Sequence, residues 1–485
     1  MQRNLKTAEQ NQDDLPEEKP MEIRRYILNP SWALRGWKLL PYAVQSLVLP
    51  RTEFFGREEW ELFSACDGQT DIDWTALTLE QRKKYQHWER GGFIRPAEEG
   101  ERLRPGQQYR FFPARFKQGV QWSITGRCNY RCKHCFMSAP HGAQGEPTWE
   151  QLMTMLDAFA RCGIKSVNLT GGEPMVRRDF WPLVDEILVR GMIIPTVYSN
   201  GLLVTEAFLD GLERRGLRPN IQFSFDGVGY HDWMRGIPGA ERIVLEAMQR
   251  CRERGIHTSA TMVVFRDNLH SIRETVNLLA SLGCSSLKTG IATPAGEWQQ
   301  FPEHYLTQRE LYEAYLAYIP QYFQDGAPLS LALDGFFVHD NPSGRHLSPI
   351  EKGIQEKDFR RALMCGHARR ELYASPRGNV LPCMSMVGSP MEEQFPNMLE
   401  KPLEEILDDG SYYMNAINFR VSDFLEHNPE CKACEYRTQC CGGCRAQAVF
   451  AHPTDYLSID PVTCEYFKGG WMEKKNNLLR SLGLR

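Results

Sequence analysis

Three cysteines, Cys128, Cys132 and Cys135, fall within the run Thr125-Gly-Arg-Cys-Asn-Tyr-Arg-Cys-Lys-His-Cys-Phe136, separated by three residues and then by two. Three thiolates cannot make a closed tetrahedral site among themselves, because such a site takes four ligands. They can hold three irons of a cubane iron–sulfur cluster and leave the fourth iron open. An open iron implies redox chemistry on a bound small molecule rather than structural metal binding. Zinc is the competing reading, and its fourth ligand would have to be His134 or His141.

The rest of the composition narrows the setting. At 485 residues the chain is long enough for two to four domains. A net charge of -4 argues against a broad basic surface for nucleic acid. No stretch is long and apolar enough to span a bilayer, and Met1 to Pro20 lacks the apolar core of a signal peptide. A cytoplasmic protein with a disordered tail over residues 1–21 is expected. Disulfides are disfavoured in that compartment, so clustered cysteines read as metal ligands. Of the fifteen cysteines, Cys66, Cys162, Cys251, Cys284 and one of the pair Cys440/Cys441 stand outside the spaced groups and read as small buried hydrophobes.

From Gln118 onward the pattern alternates. Strands are expected at Gly119–Thr125, Lys165–Thr170, Ile193–Tyr198, Asn220–Phe225, His257–Phe265 and Ser285–Ile291, with five helices between them. Thr148-Trp-Glu-Gln151 reads as a capping box, and Gly163, Gly191, Gly216, Gly255 and Gly283 stand where helices should end. Strict alternation implies a parallel sheet with right-handed crossovers. Six strands are too few for an eight-stranded barrel, so an α/β partial (βα)6 barrel is expected. On that frame the cysteine loop, Gly171-Gly-Glu-Pro174, Ser199-Asn-Gly201, Ser224-Phe-Asp-Gly227 and Thr293-Pro-Ala-Gly296 all fall at the C-terminal ends of strands. That rim is where α/β barrels place their chemistry.

These residues carry a resemblance. The CxxxCxxC loop and the Gly-Gly-Glu motif, over about Gln121 to Gly296, resemble the radical S-adenosylmethionine (SAM) superfamily. The resemblance implies that Cys128, Cys132 and Cys135 hold the SAM-binding cluster, whose open iron chelates SAM and whose electron cleaves it to a hydrogen-abstracting radical. It places His134 near the adenine, Gly171, Gly172 and Glu173 at the SAM ammonium, Ser199 and Asn200 facing the ribose, and Ser224 and Arg235 as candidates for the methionine carboxylate. Taken alone, Ser199-Asn-Gly and Asp226-Gly are ordinary turn sequences.

A second array follows a connector at 301–360, itself a helix over Leu311 to Phe323 and a polar loop around Asn341-Pro-Ser-Gly344. Cys365, Cys383, Cys431, Cys434, Cys440, Cys444 and Cys464 resemble, in order and spacing, the SPASM extension of radical SAM enzymes. A zinc ribbon is the plainer alternative for Cys431 to Cys444. The resemblance implies two auxiliary clusters within 361–470, giving three [4Fe-4S] clusters in all. Cys365, Cys383 and Cys444 would hold the nearer auxiliary cluster, and Cys431, Cys434, Cys440 and Cys464 the distal one. The nearer cluster then has an open iron, or Cys441 or a residue outside the motif completes it. Two members of the family depart from this chain. The sulfatase maturases carry an aspartate where Met384 follows Cys383, and the enzyme of pyrroloquinoline quinone synthesis uses an aspartate where Cys440 stands.

Ahead of the barrel, expected at 115–300, residues 22–105 read as a winged-helix-like domain. Its strands are Arg24–Leu28 and Lys38–Val48, its helices Arg57–Cys66 and Leu79–Glu89, and Gly91-Gly-Phe-Ile94 turns into a further strand. It resembles the peptide-recognition domains of enzymes that modify ribosomally made peptides, which bind a leader as an added strand. With 11 Lys/Arg against 12 Asp/Glu in 22–100, DNA binding is disfavoured. A helix at 471–485 ends the chain. The expected function is a radical SAM peptide maturase making a thioether or carbon–carbon crosslink, with a precursor peptide and a flavodoxin- or ferredoxin-like electron donor as partners. Alternatives are oxidation of a protein side chain or small molecule, peptide epimerisation, and a non-catalytic iron–sulfur redox sensor.

Overall fold

The computed structural model describes residues 22–292 and 296–484. The tail expected to be disordered, and Thr293 to Ala295 of the last rim loop, lie outside the described residues.

The chain divides into two compact units. The first comprises residues up to Arg35, with Tyr42–Gln45 and Glu53–Arg110. The elements of residues 22–112 begin with strands β1 (Ile23–Arg24), β2 (Tyr26–Leu28), β3 (Trp32–Trp37), β4 (Leu40–Ser46) and β5 (Thr52–Phe54). Helix Arg57–Ser64, β6 (Ile72–Asp73), helix Leu79–Arg90, β7 (Ile94–Pro96) and β8 (Arg110–Phe112) follow. The single strand expected over Arg24–Leu28 is two: β1 pairs with β6 and β2 with β7, both antiparallel. β3 and β4 form a hairpin in the four-stranded order β5-β4-β3-β8. Helix Leu79–Arg90 starts in a capping box, with Thr78 accepting from the Gln81 amide. Its Tyr85 and Trp88 pack with Tyr26, Phe63 and Trp74 in an aromatic core.

The second unit carries the alternating βα pattern. β9 (Gly119–Ser123), β10 (Ser166–Thr170), β11 (Thr196–Ser199), β12 (Asn220–Ser224), β13 (Thr258–Val264) and β14 (Ser286–Ile291) lie side by side in chain order, all parallel. Alternate residues such as Val167 and Leu169, or Ile221 and Phe223, are fully buried against helices whose apolar stripes face them, for example Leu152, Met155, Leu156 and Phe159. The Thr148 capping box forms as expected. The five glycines expected as helix stops all have positive φ, from 64° to 79°, which only glycine adopts without strain.

The sheet is larger than six strands. The connector contributes β15 (Ser330–Leu333), parallel to β14, then the antiparallel β16 (Phe337–Asp340) and β17 (Arg345–Leu347). The alternation of Leu329, Leu331 and Leu333, all buried, is the strand signal that a reading of this segment as helix and loop passes over. At the opposite edge β18 (Glu371–Ala374) adds parallel to β9, and β19 (Val380–Leu381) turns back on it. The result is an open eleven-stranded, mostly parallel sheet. Because β18 lies six residues beyond Cys365, the cysteine-rich segment grows directly from the edge that bears the first cysteine loop. Short helices then run from Leu403 to Lys468, and helix Trp471–Ser481 ends the described chain.

Candidate active site and auxiliary cysteine groups

The loop after β9 brings its three sulfurs into a shell of hydrogen-bond donors. The Tyr130 amide donates to Cys128 Sγ at 3.4 Å, and the Ala139 amide to Cys135 Sγ at 3.3 Å. Two donors come from other segments, the loop after β11 and the helix after β12: Asn200 Nδ2 reaches Cys128 Sγ at 3.8 Å and Arg235 Nη1 reaches Cys132 Sγ at 3.6 Å. Donors aimed at sulfur are the means by which a protein tunes cluster thiolates. Burial pushes the Cys128 thiol up to about 12, so its thiolate needs a bound cation to form.

The Gly171-Gly-Glu173 turn is laced to this loop. The Gly172 amide donates to Thr125 O at 3.0 Å and the Glu173 amide to Arg127 O at 2.9 Å. A Cβ on Gly171 would lie 2.6 Å from Thr125 O, and one on Gly172 2.2 Å from Arg127 O. The two glycines therefore serve the approach of two rim loops to each other. Glu173 is fully buried and accepts from the Asn200 amide at 2.8 Å and from Ser199 Oγ at 3.3 Å. Burial pushes its carboxyl up to about 7. A buried carboxylate held only by neutral donors is suited to a ligand cation.

Ser199 and Asn200 are brought to the same place but are turned inward. Ser199 Oγ lies between Glu173 and the Gly201 amide, at 2.9 Å from the latter, while Asn200 Nδ2 also donates to Asn129 Oδ1 at 2.7 Å. Ser224 ends β12, half-buried, in register with Thr261. Arg235 is buried, and its guanidinium is met at 2.6 Å by Asp226. Burial opposes the Arg235 charge, and Asp226 and Cys132 outweigh it.

Asp226 is the residue that sequence reasoning set aside as an ordinary turn. It is fully buried, accepts from the Val263 amide at 3.0 Å, and lies 3.7 Å from His231 Nδ1. Its own carbonyl accepts from Asn268 Nδ2 at 2.7 Å. The usable signal was an acid just past the C-terminal end of a rim strand, next to the fully buried Phe225. His134 lies against this pair. Burial, then the Arg235 charge, pushes its imidazole down to about 4, and its Nδ1 is a buried polar atom without a partner among the described residues.

The later cysteines separate into two sets. Cys444 and Cys365 are charged neighbours of Cys383, and Cys365 is one of Cys444. Cys464 and Cys434 are neighbours of Cys431, and Cys431 is one of Cys440. Cys431, Cys434, Cys440 and Cys464 line one cavity, closed by Phe424, Leu425, Tyr436 and Phe467. Cys441 also borders that cavity, but its thiol is bonded elsewhere. Its backbone is left-handed, φ 47°, and its thiol is turned to Thr438 O at 3.2 Å beside Phe424 and Met364. Cys66, Cys162, Cys251 and Cys284 are buried in apolar surroundings. Among the described residues no three Cys, His, Asp or Glu side chains are spaced to hold one ion. Sets made of cysteine sulfur have the donor chemistry by which iron–sulfur clusters are held. The donor sets therefore fit iron–sulfur clusters.

The radical SAM superfamily matches residues 122–279, and an iron–sulfur cluster-binding domain, SPASM, matches residues 365–435. An AdoMet-dependent heme synthase of Nitratidesulfovibrio vulgaris is 26% identical over 72% of this chain and 92% of its own length. A PqqA peptide cyclase of Granulibacter bethesdensis is 27% identical over 71% of this chain and 86% of its own. Among solved structures, Streptococcus suis SuiB bound to its precursor peptide SuiA superposes with a TM-score of 0.63 at 14% identity, over 91% of this chain and 100% of that one. That coverage extends the shared fold into the N-terminal unit. With its cysteine loop, its Gly-Gly-Glu turn and its later cysteine sets in place, the chain carries a radical SAM domain followed by a SPASM domain.

Proposed function

We propose that the chain is a peptide maturase that takes a hydrogen atom from a ribosomally made precursor peptide and closes an oxidative thioether or carbon–carbon crosslink. The observation that carries this reading is the joint presence of an N-terminal unit with strand edges and two separate auxiliary cysteine sets. Relatives named PqqA peptide cyclase and mycofactocin maturase, and the fold shared with a peptide-bound SuiB, support it.

In this reading Cys128, Cys132 and Cys135 hold the SAM-binding cluster, which with SAM supplies the radical that abstracts hydrogen. Glu173 pairs with the SAM ammonium, and its neutral donors Ser199 and Asn200 keep its lone pairs oriented. His134 offers its free Nδ1 to the nucleoside side of the ligand. Asp226 neutralises Arg235, which leaves Ser224 the better placed of the two for the methionine carboxylate. Cys365, Cys383 and Cys444 hold the nearer auxiliary cluster and leave one coordination position to a group other than Cys441. Cys431, Cys434, Cys440 and Cys464 hold the distal one, and a flavodoxin- or ferredoxin-like protein delivers electrons. The first unit, near residues 22–105, takes the leader of the peptide as an added strand.

The test is anaerobic turnover of the reconstituted full chain with short peptides from reading frames beside its gene as candidate substrates. Formation of 5′-deoxyadenosine together with loss of two hydrogens from the peptide supports the reading; deoxyadenosine without any change in the peptide refutes it. The relatives named heme synthase favour a second reading, oxidation of a small molecule. Removing residues 1–100 separates the two, because it abolishes leader binding in the first and leaves activity intact in the second.

A further inference from the structure

Lys352 lies in the connector, in a stretch without a motif. Its amide donates to Gln439 O at 2.8 Å and the Ile354 amide donates to Thr438 O at 2.8 Å. The segment thus runs along the turn that carries Cys440 and Cys441. Lys352 Nζ donates to Met364 O at 2.8 Å and to Gly443 O at 3.1 Å, the carbonyls directly before Cys365 and Cys444. Its leading electrostatic neighbours are Cys441, Arg445, Cys365 and Cys440, with no carboxylate among them. Cys365 belongs to one auxiliary set and Cys440 to the other. Arg445 stands in the same region. It is buried and donates to Tyr456 O at 3.0 Å and Ser458 O at 2.7 Å, but its first charged neighbour is the buried Asp460, which accepts from the Cys444 amide at 2.8 Å, ahead of Cys444 and Cys440.

A lysine in such a place is costly for a purely structural strap, because a neutral donor could bond the same two carbonyls without desolvating a charge. A fixed cation beside a thiolate-ligated cluster lowers the energy of the form that carries one more electron.

We propose that Lys352 is a fixed positive charge set between the two auxiliary sites that makes the clusters there easier to reduce. An electron leaving the substrate is thereby drawn outward. In that step the substrate radical is oxidised by one electron, an auxiliary cluster is reduced by one, and Lys352 keeps its protons. The proposal rests on the assignment of both cysteine sets as cluster sites.

The test is a potentiometric titration followed by electron paramagnetic resonance on the reconstituted full chain, with iron counted in parallel, for Lys352→Met and Lys352→Arg. Lys352→Met is expected to keep its iron and to shift an auxiliary midpoint negative by at least a tenfold change in the reduction equilibrium, about 59 mV for one electron. Lys352→Arg is expected to recover most of that shift, and the SAM-binding cluster to stay where it was. Unmoved midpoints at full iron content overturn the proposal. Equal shifts in both variants overturn it too, since charge is then not the cause. Loss of auxiliary iron in Lys352→Met overturns it by making the residue a strap. Iron for a single cluster in the unaltered chain instead overturns the assignment on which the proposal stands.

Discussion

The two cysteine-bearing regions are built in opposite ways. The first packs Cys128, Cys132 and Cys135 into one loop and then borrows donors for them from the loop after β11 and the helix after β12, through Asn200 and Arg235. The second gathers its thiols from Cys365 to Cys464 on turns and short helices, with the connector lysine bonded to the carbonyls that precede Cys365 and Cys444. A local triad has its ligands near one another before folding, so its remaining cost is orientation. A dispersed set must close long loops first, at a cost that rises slowly with their length. Its geometry therefore depends on β18 and the helices around it being in place.

The comparison is broken most directly by removing one thiol from each region. Cys135→Ala is expected to abolish SAM cleavage altogether, whereas Cys383→Ala is expected to leave SAM cleavage running and to lose only the peptide product. Equal loss in both, measured as 5′-deoxyadenosine formed, would merge the two regions into one functional unit.

Next in size is Asp226→Asn, which strips the partner from a buried guanidinium. It is expected to cost about 3–5 kcal/mol in thermal unfolding, the range for breaking a buried ion pair from one side. Glu173→Gln is expected to weaken SAM binding roughly 10- to 100-fold, as a charge-assisted hydrogen bond of about 1.5–3 kcal/mol is lost. Calorimetric titration of SAM decides it, and an unchanged affinity would leave Glu173 as a loop brace only.

Glu173 also gives the first region a pH signature. Its folded value near 7 lies above the ordinary 4.5, so the folded chain keeps a proton that the unfolded chain sheds. Without SAM, stability falls as pH rises from 4.5 toward about 7 and then levels. Affinity for the SAM ammonium moves oppositely, rising by about tenfold per pH unit below 7, because only the carboxylate pairs with it. A flat affinity between pH 5 and 7 would remove Glu173 from the ammonium. The smallest effect sharpens the second region. Cys440→Ala is expected to lose the distal iron, and Cys441→Ala to keep it at a stability cost of about 1 kcal/mol.

Much of the frame is legible in the chain itself. The six central strands, the Thr148 cap and the glycine stops follow from alternation and helix-end chemistry, which act over a few residues. The connector strands are less so, since Ser330–Leu333 is a short apolar run that helix, strand and buried loop share. The adjacent Cys440 and Cys441 are equivalent in spacing, and only the left-handed turn at Cys441 sends the two thiols to different places.

The sequence by itself determined the chemistry available: three thiols with an open position, a carboxylate behind two glycines, and a later cysteine array. These are short-range patterns, and short-range sterics and ligand counting are enough to read them. The tertiary structure alone decided which groups share an environment. It paired Arg235 with Asp226, turned Ser199 and Asn200 onto Glu173, divided the later cysteines into two sets and set Lys352 beside both. Those pairings join residues far apart in the chain, and their energies come from burial, which only the folded chain creates.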